Sequence, residues 1–299
     1  MPRGIVQVRG PDAVSYLQGQ ASQDVEDLDV GATSWTFVLQ PTGKVDAWAR
    51  VTRTAGDTFI LDVDGGGGPA LAARLQRFLL RTKAEVTELP WRCVALRGPG
   101  AIEAATKARD DKAGSKDDPT VSAPSGWPGI EGACLLGPDV AIPAGVPEVP
   151  IDAIEAARIT AGVPAFGAEV TERTIPAELG QWVIEASVDF TKGCFTGQEL
   201  VARIDSRGGN VPRQLRGLVI DADSIEAESR DSGNGSDDLP KPGTPVEVGG
   251  STVGEVTSSA WSPALDRAVA LAFITRAALS ETTVRVGDRR AQIRQLPLV

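Results

Sequence analysis

Histidine is absent from the 299 residues of this chain, and methionine and tyrosine occur once each. Without histidine there is no Ser-His-Asp triad, no Cys-His pair and no imidazole-ligated metal. Acid or base chemistry falls to carboxylates, lysine, cysteine or a bound ligand. Cysteine is scarce too. Cys93, Cys134 and Cys194 are an odd number, far apart in sequence and never spaced as CxxC. Neither a disulfide framework nor a self-contained metal or cluster site is expected from them. No run approaches the roughly 18 apolar residues of a membrane span, and the opening MPRGIVQVRG has no apolar signal core. These absences predict a cytoplasmic protein with no membrane partner.

The composition is otherwise that of a globular protein, 41% hydrophobic and 23% charged, and 33 glycines with 21 prolines imply many turns and much sheet. The chain is longer than one core usually grows, so two or three domains are expected. A net charge of -10 repels phosphate in the far field and argues against direct nucleic-acid binding. A monomer is expected.

Along the chain, Pro11-Asp12 with Val14, Leu17 and Ala21 reads as a short helix. SWTFVLQ (34 to 40), KVDAWARVTR (44 to 53) and TFILDVD (58 to 64) read as a meander of antiparallel strands. The GGGG at 65 to 68 lacks the K[ST] of a phosphate loop and reads as a turn. An amphipathic helix follows, with Leu71, Leu75, Phe78 and Leu79 on one face and Arg74, Arg77 and Arg81 on a solvated one. Residues 107–129 read as a surface excursion, and ACLLG with DVAIP as a hairpin. PIDAIEAARITAG predicts a helix capped by Asp152 and stopped at Gly162. Residues 221–243 hold seven acids against two bases and predict a disordered acidic loop. From Gly243 onward, short strands punctuated by GG and GD predict a small closed β-barrel.

One stretch concentrates chemistry, FTKGCFTGQELVARIDSRGG (190 to 209). Thr196 and Glu199 are spaced as a capping box, which starts a helix at Gly197 and puts Cys194 near its positive end with Lys192 close in sequence. Both influences favour thiolate, the reactive and metal-binding form. Gly193 is read as permitting a turn that a side chain forbids. From Lys192 to Arg216 five bases (Lys192, Arg203, Arg207, Arg213 and Arg216) face two acids, which suits a carboxylate or phosphate ligand held by arginine forks. The same charges also suit a solvated helix face, and Cys194 also suits a small buried hydrophobe. Glu178, in the loop TIPAELGQW, is a carboxylate placed to point inward.

KGCFTGQE (192 to 199), with the VAR and RG that follow, resembles the signature of the YgfZ family, folate-binding relatives of the glycine cleavage T-protein. SYLQGQASQDV (15 to 25), QPTGKVDA (40 to 47), RFLLRTKAEV (77 to 86), RITAGVPAFGAEV (158 to 170) and the segment from Gly243 to Ile274 are similar to that superfamily as well. The resemblance implies an α+β fold, a three-domain cloverleaf around a central folate-sized hole with a C-terminal β-barrel. Its domains would be 1–40 plus 148–210, then 41–147, then 211–299. It implies tetrahydrofolate as cofactor and a role in making or repairing [4Fe-4S] proteins, including tRNA-modifying enzymes, so that folate and iron-sulfur client or assembly proteins are the partners. The functional motif is then Lys192, Gly193, Cys194, Gly197, Gln198 and Glu199. Folate would be bound by Glu178, Arg203, Arg207 and Arg213, of which Glu178 and Arg213 match T-protein positions. Cys194 would ligate metal only together with a partner's groups, since one thiol holds no cluster. Two departures stand out. Asp64 is the nearest equivalent of the T-protein aspartate that assists aminomethyl transfer, and Ile154 stands where some YgfZ proteins carry tryptophan. A folate-dependent one-carbon transferase or demethylase using Asp46 or Asp64 is the alternative, and a scaffold with a vestigial pocket the plainest reading.

Overall fold

The computed structural model describes residues 3–112, 119–221 and 239–298. The first sheet is five-stranded and antiparallel, in the order β2-β3-β4-β1-β5, built from β1 (Arg3–Arg9), β2 (Thr33–Leu39), β3 (Val45–Ala55), β4 (Thr58–Asp64) and β5 (Glu85–Leu89). The β2–β3–β4 meander is the one its alternating apolar residues predict. Both faces are covered. Helices α1 (Ala13–Gln20) and α2 (Gly68–Gln76) bury Tyr16, Leu17, Leu71 and Leu75 against Val38, Ala49, Val51 and Leu61 on one side. Phe37 and Trp48, one residue out of phase with those positions, face the other side and join a second core. Position 40 lies in the β2–β3 turn, inside this sheet.

A three-stranded sheet, β6 (Arg92–Arg97), β7 (Val121–Pro124) and β8 (Gly132–Gly137), has the order β6-β8-β7 and carries α3 (Ala101–Asp110) on one face. Its other face sets Cys134 and Leu136 against Ile5 and Ile60 of the first sheet. Arg50 also joins the sheets. Its guanidinium holds Asp62 at 2.6 Å and donates to the carbonyls of Ala123 and Pro124. The excursion expected over 107–129 is thus partly structure, since it includes the end of α3 and all of β7, and β8 pairs with β7 instead of with DVAIP. Sequence reading missed β7 because a proline and two small residues carry little strand signal.

The C-terminal part is a closed six-stranded barrel, β10-β11-β12-β9-β14-β13, in which β10 pairs β13 to complete the ring. Its strands are β9 (Arg213–Ile220), β10 (Pro245–Val248), β11 (Ser251–Ser262), β12 (Arg267–Thr275), β13 (Thr283–Val286) and β14 (Arg289–Arg294). Closure removes the open edges that an antiparallel sheet of this size would expose. Strand β12 shows how the barrel attaches to the rest. Ala268, Ala270, Ala272 and Ile274 fill its interior, while Val269, Leu271 and Phe273 point outward into the core that holds Phe37 and Trp48. A strand buried on both faces reads as an unbroken apolar run, AVALAFI.

Helix α4 (Ile151–Thr160) packs on β11 and β12. Pro150, not Asp152, stands at its N-cap, and Asp152 lies in the first turn. Buried Arg158 holds Glu155 at 2.6 Å, Glu169 at 3.2 Å and the Ser258 hydroxyl at 2.8 Å, and Glu169 in turn accepts from Thr257 and Ser258. Every member of this buried network is satisfied, which ties α4 to the barrel. Of the acidic segment expected over 221–243, residues 222–238 lie outside the described residues. No helix among the described residues is long and apolar enough to cross a membrane.

Candidate functional site

The KGCFTGQE segment enters α6 (Gln198–Ser206) after a loop held at several points. Asp189 begins it. Its Oδ1 accepts from the Thr191 amide, the Thr191 hydroxyl and the Lys192 amide, and these hydrogen bonds, that of the hydroxyl first, hold its carboxyl below the usual range. The Lys192 ammonium then reaches across to the C-terminal end of α1 and donates to the carbonyls of Gln18, Ala21 and Gln23 at 2.8, 2.7 and 2.9 Å. Burial pulls its pKa down to about 8, opposed by Asp24 and Asp189. The charge sits where a helix leaves its last carbonyls unsatisfied. Lys192 therefore anchors the loop and is not directed at Cys194.

The expected capping box does not form. Gly197, at φ 80, is the N-cap of α6, no side chain caps the helix, and Thr196 instead bonds to the Gly19 carbonyl through its amide at 3.0 Å. Gln198 Oε1 accepts from the Phe195 amide at 3.0 Å and closes the turn. A left-handed Gly197 rotates Thr196 out of capping geometry, which its spacing alone could not reveal. The glycine that matters also differs from the one expected. A Cβ on Gly193 would meet nothing within 4 Å and its φ is not positive, whereas one on Gly197 would lie 2.4 Å from the Gln40 carbonyl oxygen. Gly43, at φ 82, approaches from the opposite side, where its own Cβ would lie 2.5 Å from the Leu200 Cβ. The β2–β3 turn and the start of α6 pack backbone to backbone.

Cys194, held between α1 and this glycine contact, is exposed. It is not the buried hydrophobe of the plainer reading. Glu199 is exposed on the first turn of α6. Beside the motif lies a cleft of about 630 Å³, counting its open side, walled by Pro176, Gly180, Ile184, Phe190, Leu200 and Ile204 with Glu185 and Asp205 at its margin. Its lining is mainly apolar and acidic. Cys194, Arg203 and Arg207 are not among the lining residues, and the two arginines are exposed.

Glu178 and Arg213 do meet. Glu178 sits in a 3₁₀ turn, Pro176–Leu179, is 6% exposed, and accepts from Arg213 Nε and Nη2 at 3.2 and 3.4 Å. The Arg213 guanidinium in turn lies 4.2 Å from the Phe273 ring centroid. Their chain neighbours Ala177 and Gln214 line the cleft, which places the pair along its border. A tryptophan group that sequence reading did not single out borders the same region. Trp35 and Trp48 stack at 4.0 Å, and Trp182, on α5 (Gln181–Ser187), meets Trp48 edge-on at 5.9 Å. Trp35 and Trp48 donate to the Ser125 carbonyl and the Ser187 hydroxyl, but the buried Trp182 Nε1 has no acceptor. A buried donor without an acceptor suits a polar ligand. The available signal was that Trp35 and Trp48 flank QPTGKVDA (40 to 47) and Trp182 ends TIPAELGQW (174 to 182).

The candidate transfer carboxylates are both ion-paired. Asp46 is held by Arg74 at 2.9 Å, and Asp64 by Arg3 at 2.7 Å with the Phe166 amide also donating to it. Arg74 is correspondingly not on a solvated face. It donates to Asp46, Gln20 and the Leu39 carbonyl and lies 4.0 Å over the Phe78 ring. Helical spacing placed it opposite the apolar stripe, but α2 ends at Gln76 and the β2–β3 turn covers that side.

This arrangement, an antiparallel sheet flanked by helices and followed by a closed barrel, is that of the glycine cleavage T-protein family. Residues 3–122 match the GCVT N-terminal domain and residues 213–299 the glycine cleavage T-protein C-terminal barrel domain, so the chain carries GcvT-like domains at both ends. Aminomethyltransferase T from Bartonella henselae superposes over 99% of this chain and 84% of its own with a TM-score of 0.75 at 20% identity. Among curated relatives, an aminomethyltransferase of Thermus thermophilus is 27% identical across 98% of this chain and 83% of its own. An uncharacterized Haemophilus influenzae protein is 29% identical over 69% of this chain and 67% of its own. A mitochondrial iron-sulfur cluster assembly factor IBA57 homolog of Mycosarcoma maydis is 30% identical over 69% of this chain, which spans about half (53%) of that relative's length.

Proposed function

We propose that the protein is a tetrahydrofolate-binding factor of the YgfZ type that assists assembly or repair of iron-sulfur proteins in the cytoplasm, tRNA-modifying enzymes among them. One observation carries this reading. The motif thiol, Cys194, is exposed on a loop pinned by Lys192, while Asp46 and Asp64, the carboxylates a transferase would use, are engaged in ion pairs. Similarity to an assembly factor and to aminomethyltransferases supports the pairing of folate with this role.

The residues present fit a pterin. Glu178 keeps lone pairs that accept adjacent N-H groups of a pterin edge, Arg213 orients that carboxylate, and Trp182 Nε1 offers a donor that lacks an acceptor. Arg203 and Arg207, exposed on α6, suit the glutamyl carboxylates. Tetrahydrofolate, when bound, supplies a one-carbon acceptor. Cys194 meets iron or sulfur only together with ligands from a client or assembly protein, because a lone thiol does not hold a cluster.

Cys194→Ala tests the reading. The variant should fold and bind folinic acid as the parent does, yet fail to restore the activity of [4Fe-4S] enzymes in cells lacking the protein. Full restoration removes the assembly role. Production of methylene-tetrahydrofolate from a methylamine donor, followed by mass spectrometry, would favour the transferase.

A further inference from the structure

The three-stranded sheet brings together the two cysteines that the motif does not use. Cys93 pairs with Leu136 and Cys134 with Ala95 in the antiparallel β6–β8 register, so the two thiols are diagonal neighbours on one face. The diagonal placement sets the Cys93 thiol to act as a donor toward the Cys134 sulfur. Cys134 is buried, and Cys93 is partly exposed.

The charges around the pair do not cancel. Asp62 is shared by Arg3 and Arg50, and Asp64 pairs with Arg3. A third guanidinium, that of Arg97, has no carboxylate partner among the described residues. It donates to the carbonyls of Leu96 and Ala133, stacks 4.0 Å from the Trp127 ring centroid, and sets both terminal nitrogens 3.9 Å from Cys134 Sγ. Three cations against two carboxylates leave one positive charge, and the Cys134 sulfur is the group placed to balance it. The hydrogen bond from Cys93, aided by Arg50, Arg97 and Arg3 and opposed by burial, holds Cys134 well below the ordinary thiol range. The same bond, with burial, holds Cys93 well above it.

We propose that Cys93 and Cys134 form a redox-active dithiol, closed to a disulfide by hydroperoxides and reopened by small thiols. The Cys93 proton passes to the Cys134 sulfur as the Cys93 sulfur attacks the peroxide. An S–O bond forms, the O–O bond breaks, and the departing alkoxide takes the proton from Cys134 to leave as an alcohol. The Cys134 thiolate then attacks the Cys93 sulfenic acid, forming the S–S bond and releasing hydroxide. Thiol, thiolate and hydroperoxide become disulfide, alcohol and hydroxide, with the peroxide reduced by two electrons. Because the positions are diagonal rather than directly opposed, closure must draw β6 and β8 together, which suits a reversible bridge better than a permanent one. Oxidation also removes the anion that faces Arg97, and so alters the cation stacked on Trp127.

The test uses the full chain with Cys194→Ser, which leaves only these two thiols. After stoichiometric hydrogen peroxide, intact mass should fall by two hydrogens, both thiols should resist alkylation, and a peptide containing Cys93 should be linked to one containing Cys134. Dithiothreitol should restore the starting mass and the tryptophan emission. Two alkylatable thiols after oxidant, or oxygen addition to Cys93 without a link, would overturn the proposal. Arg97→Met should slow disulfide formation by about tenfold with secondary structure retained. An unchanged rate in that folded variant would remove the guanidinium's role and with it the basis of the proposal.

Discussion

The Lys192 ammonium donates to the Ala21 carbonyl at 2.7 Å, the shortest of three bonds that fasten the cysteine loop to the end of α1. Lys192→Met should cost about 1 to 2 kcal/mol, because hydrogen bonds to charged groups are strong but water compensates at a half-exposed site. It should also raise the rate at which iodoacetamide labels Cys194. The pH dependence has a fixed sign. Burial lowers the folded pKa to about 8 from the ordinary 10.5, so between these values the unfolded chain binds more protons and this group's contribution to stability rises with pH. Urea midpoints at pH 7.5 and 9.5 for both proteins check it. The parent should gain on the variant at the higher pH, and parallel curves would contradict the assignment.

Gly197 and Gly43 should tolerate no side chain, while Gly193 should. Gly197→Ala combines left-handed strain of about 1 to 2 kcal/mol with a backbone contact that must open, and Gly43→Ala does the same against Leu200. Each should lower stability by about 2 to 4 kcal/mol in urea denaturation. Gly193→Ala should stay within about 0.5 kcal/mol of the parent. Equal losses in all three would show that the loop is held differently.

These glycines illustrate which features could be read in advance. The meander, the barrel strands and the segment carrying Cys194 each have a local period or motif, and the structure contains the corresponding elements. The function of Gly197 depends on Gln40 and Leu39, more than 150 positions away, and no local spacing encodes such an approach. Arg74 was misread for the same reason, since the β2–β3 turn that covers it is distant in sequence. The nearness of Cys93 to Cys134 depends on the β6–β8 register, and Trp182's missing acceptor is visible only once its neighbours are placed.

Glu178 and Trp182 should matter for folate, and the α6 arginines should matter less. Glu178→Gln preserves shape but removes the charge that faces Arg213, and loss of charged hydrogen bonds of about 1.5 to 3 kcal/mol implies at least a tenfold weaker affinity for folinic acid. Trp182→Phe keeps the ring and deletes the unpartnered N-H, which separates a polar role from a packing one. The double variant Arg203→Ala, Arg207→Ala should weaken binding slightly and mainly at low salt, because both side chains are exposed. Calorimetric titration measures all three. Unchanged affinity in Glu178→Gln would move the pterin site elsewhere.

Asp46 and Asp64 offer the sharpest separation of the two functional readings. In a transferase, replacing the assisting carboxylate lowers turnover even where the fold is intact. Here Asp46 is bound to Arg74, whose side chain is 10% exposed, and Asp64 to Arg3, at 9%. Removing one partner of a largely buried pair strands the other charge, at a cost of about 2 to 4 kcal/mol. Asp46→Asn should therefore lower the denaturation midpoint and loosen the β2–β3 turn through Arg74 and the Leu39 carbonyl. Asp64→Asn should be milder, because Arg3 retains Asp62. Neither should abolish support of iron-sulfur enzymes at a temperature where the variants remain folded. If Asp46→Asn or Asp64→Asn keeps the parent's stability yet loses cellular function, the carboxylate is chemical rather than structural, and the transferase reading takes precedence.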